Sequence, residues 1–173
     1  MILFYDRSGN GSSVTETAVI GTVMLHSTET FGSTADVLRF STAIMNDQST
    51  YTLFHVAKYN GTTRRRILNG VQGNWLSGFW DGMSGIAYHG EWLTQRSSSV
   101  HGSNWVRSTE QRNLYRSEGV TRGTTTGGSS SQLSINYGCR SEYSDWAVAE
   151  VIVYDTELSP AEYEEVEKVQ VVM

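Results

Sequence analysis

Short alternating or apolar runs, each closed by a glycine- or asparagine-bearing turn, constrain this chain more than any other feature of it. Runs over 19–25, 37–40, 51–59, 66–68, 85–89, 105–106, 113–115, 132–136 and 147–154 read as nine strands. Side chains alternate faces along a strand, so period two is what one buried sheet face demands. Between the runs stand Ser8-Gly9-Asn10-Gly11, Asn60-Gly61, Asn69-Gly70, Asp81-Gly82, Glu118-Gly119 and Gly127-Gly128. Such residues accept the unusual backbone angles of tight turns. Strands and turns at this spacing predict an antiparallel sandwich or barrel. The Ser/Gly/Thr tracts at 97–99 and 124–131 read as exposed loops, because strands resume on each side of them.

Only the C-terminus reads as helical. Ser159-Pro160-Ala161-Glu162 has the form of a capping box with Pro at the first helical position, and Leu158 and Tyr163 are placed as its hydrophobic staple. Tyr163, Val166 and Val169 then mark the dry face. The run over 146–154 is apolar at both parities except at Glu150, as expected of a central strand covered on both faces.

Composition excludes several classes. Lys and Arg number 13 against 18 Asp and Glu, a net charge of −5, which argues against nucleic acid and anionic membranes. The single cysteine, Cys139, excludes an internal disulfide and a Cys-rich zinc site and reads as a buried or idle thiol. No stretch reaches the roughly 18 apolar residues of a membrane span. Met1-Ile2-Leu3-Phe4-Tyr5-Asp6 lacks the basic region of a signal peptide. The 173 residues suffice for one domain, taken as 1–173.

Two stretches carry a family resemblance. Asp6-Arg7-Ser8-Gly9-Asn10-Gly11 resembles the opening turn of laminin-G-like domains of the concanavalin A-like lectin/glucanase superfamily. Ala149-Glu150-Val151-Ile152-Val153-Tyr154-Asp155, with Glu157-Leu158-Ser159 and Glu162, is similar to their closing strand and helix. The runs at 51–57 and 113–119 are similar to an inner strand and a hairpin of that family, with Glu118 where Asn or Asp is usual. The resemblance implies an all-β, two-sheet antiparallel jelly-roll β-sandwich with a short C-terminal helix. Members usually have a strand ahead of the opening turn, and only five residues precede it here. Either this is a trimmed domain of a longer chain, or the open edge is covered by another segment or subunit, so a homo-oligomer or a larger parent assembly is expected.

The fold hosts lectins, glycosidases, lyases and adhesion modules, so chemistry must come from residues. Glycosidases of this type carry two or three alternating carboxylates on one strand, and Glu150 stands alone. Jelly-roll alginate lyases resemble one another in an Arg-Ser/Thr-Glu-x-Arg strand. Arg107-Ser108-Thr109-Glu110-Gln111-Arg112 is one residue too long, which would put Arg112 on the other face from Arg107. His89, His101, Tyr88 and Tyr115 could serve the proton transfer of such a lyase, but no spacing joins them. No catalytic residue is assigned.

The stretch from Asn74 to Trp92 is different in kind. It sets Trp75, Trp80, Tyr88 and Trp92 beside Asp81, His89 and Glu91. Sugar rings present apolar CH faces and polar rims, which aromatic platforms flanked by such groups match. The same rings could instead fill a sandwich core. Arg64-Arg65-Arg66 would alternate across a strand and could grip an anion, or form a solvated edge. Ca²⁺ held by some of Asp36, Asn46, Asp47, Asp81 and Asp145 is the one metal left open, and no other cofactor is expected. The function expected is a non-catalytic carbohydrate-binding or adhesion module with a glycan partner, displayed on a cell surface or on a virus or phage particle. A polysaccharide-degrading enzyme, lyase before hydrolase, is the alternative, and a capsid or fibre decoration module without sugar is the third.

Overall fold

The computed structural model of the protein describes residues 15–19, 22–42, 45, 50–96, 104–137 and 140–170. In chain order these form β1 (Thr15–Val19), β2 (Thr22–Gly32), β3 (Leu38–Arg39), β4 (Thr52–Tyr59), β5 (Leu68–Gly70), β6 (Trp75–Trp80), β7 (Met83–His89), β8 (Val106–Gln111), β9 (Leu114–Ser117), β10 (Val120–Thr124), β11 (Leu133–Ile135), β12 (Trp146–Tyr154) and α1 (Pro160–Val169). Seven strands make one antiparallel sheet in the order β1-β2-β12-β4-β8-β9-β10, and five make the other in the order β3-β11-β5-β6-β7. Both sheets are open, so the sandwich prevails over the barrel. The opening turn at 6–11 lies outside the described residues.

β12 lies between β2 and β4 in the larger sheet, where its double apolarity is used. Trp146, Val148, Val151 and Val153 all enter the core between the sheets, although the first two are even-numbered and the last two odd. A bulge between Val148 and Glu150 changes the parity, and Glu150 is buried beside it. Across the gap, Trp75 and Phe79 of β6 and Leu133 and Ile135 of β11 complete that core with Tyr51 and Leu53. The opposite face of the larger sheet offers Phe54 and Ile152, on which Tyr163 of α1 packs.

Sequence and structure differ at several places. The run expected over 19–25 is two strands, β1 and β2, paired from Val19 opposite Thr22. Asn69-Gly70 is no turn but the end of β5, paired with β6 and β11. β6 and β10 lie outside the nine expected runs: β6 falls within the aromatic segment, and β10 is a mostly exposed edge without alternation. Val169 is 79% exposed, so the dry face of α1 ends a turn early, at Val166.

α1 begins as expected. Ser159 Oγ accepts from the Glu162 backbone N–H at 3.4 Å, and the Glu162 carboxylate accepts from the Ser159 N–H at 2.8 Å. The bonds from the Ser159 backbone and then its hydroxyl hold the Glu162 carboxyl below its ordinary pKa. A depressed carboxyl contributes its share of stability at neutral pH and loses it as pH falls through the lowered value. Ser159→Ala is expected to cost about 1 kcal/mol at pH 7. The deficit narrows at a second, acidic pH below the lowered value, where Glu162 is protonated in both proteins. Urea unfolding at the two pH values checks this, and an equal deficit at both would detach Glu162 from the cap.

Candidate functional site

The β6–β7 hairpin distributes the candidate residues between two faces. Its turn is Asp81-Gly82, both at positive φ (50° and 82°), the two-residue type whose twist matches paired strands. Gly82 takes this conformation without a Cβ penalty. Trp75, Ser77 and Phe79 point into the sandwich, so alternation turns Leu76 and Trp80 to the opposite face, where Leu76 is buried and Trp80 half-buried. Tyr88 is registered opposite Leu76 and shares that outer face, and Trp92 joins it through an isolated bridge to Tyr88.

Trp80, Tyr88 and Trp92 form one half-buried cluster on this outer face. The Trp80 and Trp92 rings meet at 5.3 Å and 60°, and Tyr88 meets Trp92 at 5.1 Å and 72°. Both contacts are edge-to-face, the arrangement a ring quadrupole favours. Neither indole N–H nor the Tyr88 hydroxyl makes a hydrogen bond to a described residue. The Arg96 guanidinium, which the sequence reading missed, lies 5.0 Å over the Trp80 ring and 6.0 Å from that of Trp92. A cation four residues after Trp92 was the signal available. Asp81, at the turn, is exposed and pairs with Arg65. The Glu91 carboxylate accepts from Gly127 N at 2.9 Å and from Thr125 Oγ1.

Trp75 and His89 leave the candidate surface. Both are 0% exposed, stacked on each other at 5.0 Å and 15°, and Trp75 Nε1–H donates to the Tyr51 hydroxyl. They belong to a closed polar cluster that spans the two sheets. His89 Nδ1–H donates to the Arg112 carbonyl at 3.1 Å, and its Nε2 stands 2.7 Å from Glu110 Oε2. With Nδ1 committed to a carbonyl, a single proton joins Nε2 to the carboxylate. The other oxygen, Oε1, lies 3.4 Å from His55 Nε2, which also meets Ser77 Oγ at 2.5 Å. An Nε2-protonated His55 serves both contacts and leaves its buried Nδ1 a bare lone pair. Gly78 lets β6 approach this ring, since a Cβ there would stand 2.9 Å from His55 Cε1. Burial first, and the Glu110 charge second, push the Tyr51 and Tyr115 phenols far above their ordinary range, so both stay neutral.

Other expectations resolve similarly. Arg64, Arg65 and Arg66 precede β5 instead of alternating along a strand, and each is spent: on the Gly61 carbonyl, on Asp81, and on Glu142 with Asn74. Asp36, Asp81 and Asp145 are bound to Ser33, Arg65 and Thr63 respectively. No group of three His, Cys, Asp or Glu gathers around a point among the described residues, so these three do not fit a calcium site together. Asn46, Asp47, His101 and Cys139 lie outside the described residues. A groove of about 340 Å³ runs between α1 and the β8–β9 hairpin, but Arg107, Arg116 and Lys168 there are neutralised by Glu118, Glu167 and Glu165.

No family model matches the chain, and no curated protein matches it by sequence. Solved structures do resemble it. Domain 4 of AbnA, a GH43 extracellular arabinanase from Geobacillus stearothermophilus solved with arabinotriose, is similar at TM-score 0.58 and 13% identity, over 96% of this chain and 87% of that one. A Trypanosoma rangeli sialidase in complex with 2,3-difluoro-KDN is similar at TM-score 0.57 and 14% identity, over 95% of this chain and 32% of the sialidase. The receptor binding domain of the botulinum neurotoxin C/D mosaic serotype is similar at TM-score 0.55 and 12% identity, over 98% and 46%. At such identities the likeness shows a shared β-sandwich fold.

The interior cluster has a measurable consequence. Removing Glu110 strands two imidazoles away from water, so Glu110→Ala is expected to lose about 3–5 kcal/mol. Trp75→Ala removes a large core side chain and costs a similar amount, about 3–5 kcal/mol. For a chain of this size each should melt on the order of 10 °C early in a thermal scan. Midpoints within a degree or two of wild type would contradict the interior placement.

Proposed function

We propose that the domain binds carbohydrate without catalysis, through the outward face of the β6–β7 hairpin, as a binding or adhesion module displayed outside a cell or on a virus or phage particle. The observation that carries this reading is the cluster of Trp80, Tyr88 and Trp92: three half-buried rings whose polar edges make no hydrogen bond to a described residue. A saccharide meets such a surface with CH groups on the rings and hydroxyls at their N–H and O–H edges. The motifs that resemble concanavalin A-like, laminin-G-like domains point the same way. So do neighbours solved as an arabinanase domain with arabinotriose and as a toxin's receptor binding domain.

The absence of catalysis in this proposal rests on where the acid–base groups lie. The lyase-like stretch on β8 delivers Glu110 to the interior, where it, His55 and His89 have 0% exposure. A polymer cannot reach them. Arg107 is held by Glu118 and Arg112 by the Gly128 carbonyl.

Assembly belongs to the same proposal. Among the described residues β1 and β10 end the larger sheet, and an edge strand is where a second copy or a parent assembly adds. Light scattering is expected to give more than the monomer mass, and a strict monomer across concentration would remove this part alone.

Trp92→Ala and Trp80→Ala are expected to weaken glycan binding about ten- to a hundredfold while the melting midpoint falls by only a few degrees. Array screening followed by calorimetry on the best ligand measures both. Variants that melt early and bind normally once folded would turn the rings from platform to packing.

A further inference from the structure

Arg96 gives the aromatic cluster a chemical preference. Most arginines of the described residues are spent on protein partners: Arg65 on Asp81, Arg66 on Glu142, Arg107 on Glu118, Arg116 on Glu167 and Arg122 on Ser117. Arg96 is exposed and makes no hydrogen bond or ion pair with a described residue; its contacts are the two indole rings. None of its five N–H donors is therefore spent on a described residue. The rings hold the guanidinium in place by cation–π attraction, so less side-chain freedom is lost when a ligand arrives.

We propose that the site takes a sugar bearing a carboxylate, with Arg96 as the fork that receives it and Trp80, Trp92 and Tyr88 as the apolar surround. This deepens the carbohydrate reading above and rests on it. A planar carboxylate matches the two parallel N–H groups of a guanidinium, and the charge-assisted pair is about twice as strong as a neutral one. A neutral sugar gains no such pair and must displace Arg96 to stack on the ring face it covers. An acidic sugar uses both groups where they stand. Of the neighbouring charged groups, Arg65 and Asp81 neutralise each other, and Glu91 makes its bonds to Gly127 and Thr125 and not to Arg96. The net charge of −5 is spread over the chain, whereas Arg96 acts within the screening length of about 8 Å.

The test uses the full chain at physiological salt and two acidic polymers, polygalacturonate and polysialate, each paired with its carboxyl-reduced form. Binding is measured by calorimetry for wild type, Arg96→Gln and Trp92→Ala. At least one acidic polymer is expected to bind roughly tenfold or more tightly than its reduced form. Arg96→Gln should erase that difference without shifting the melting midpoint by more than a few degrees, and the polymer preferred tells uronate from nonulosonate recognition. Equal binding of acidic and reduced forms, with Trp92→Ala weakening both, overturns the charge preference and leaves the carbohydrate reading standing. A preference that survives Arg96→Gln overturns the assignment to Arg96. No binding to any of the four polymers overturns the proposal, and a neutral-glycan array that is also blank takes the carbohydrate reading with it.

Discussion

A carboxylate sealed from water has to be paired, and in this sandwich the pairing joins the two sheets. Glu110 and His55 come from the larger sheet, His89 and Ser77 from the smaller, and their side-chain contacts cross the gap between them. Hydrophobic burial drives the sheets together but is indifferent to small slides, because one apolar contact replaces another. A buried polar cluster is not, since any slide would leave a charged or polar atom without its partner. The stacked Trp75 and His89 rings carry this fixed point into the apolar core. From it follow the inward set of β6, Trp75, Ser77 and Phe79, and hence the outward turn of Trp80 and Tyr88.

The sequence made the architecture legible because it is written in local chemistry. Alternating runs, Asp81-Gly82, the capping box at Ser159 and the doubly apolar run at 146–154 each have one cheap structural answer, and those answers agree. What escaped were features whose cause lies elsewhere in the fold. The bulge beside Glu150 has no signature of its own in a run that is apolar at both parities apart from that one residue. Asn69-Gly70 has turn chemistry, but β11 supplies a partner that keeps it in a strand. β10 needs no alternation, since little of it is buried.

The candidate site was legible as a stretch but not as a surface. Trp75, Trp80, Tyr88, His89 and Trp92 all fall in the aromatic segment, yet only the pleat tells which rings face out, and a sequence does not say which parity is buried when both carry aromatics. His89 has the residue type of a sugar ligand and the position of a core group, because its carboxylate partner is 21 residues away on β8. Arg96 was passed over for the opposite reason. It precedes a serine tract that reads as loop, and its relation to Trp80 exists only once the hairpin has folded back.

The helix and the aromatic cluster lie on opposite outer surfaces of the molecule. α1 covers the larger sheet above Phe54 and Ile152, while Trp80, Tyr88 and Trp92 occupy the outward side of the smaller one, on strands that include the edge strand β7. Substitutions so separated share no partner, and their energetic effects add. The hairpin tip at Asp81-Gly82 therefore works as a replaceable part. Its exposed side chains can be rewritten to meet a different molecule without touching α1 or the sheet face that α1 covers.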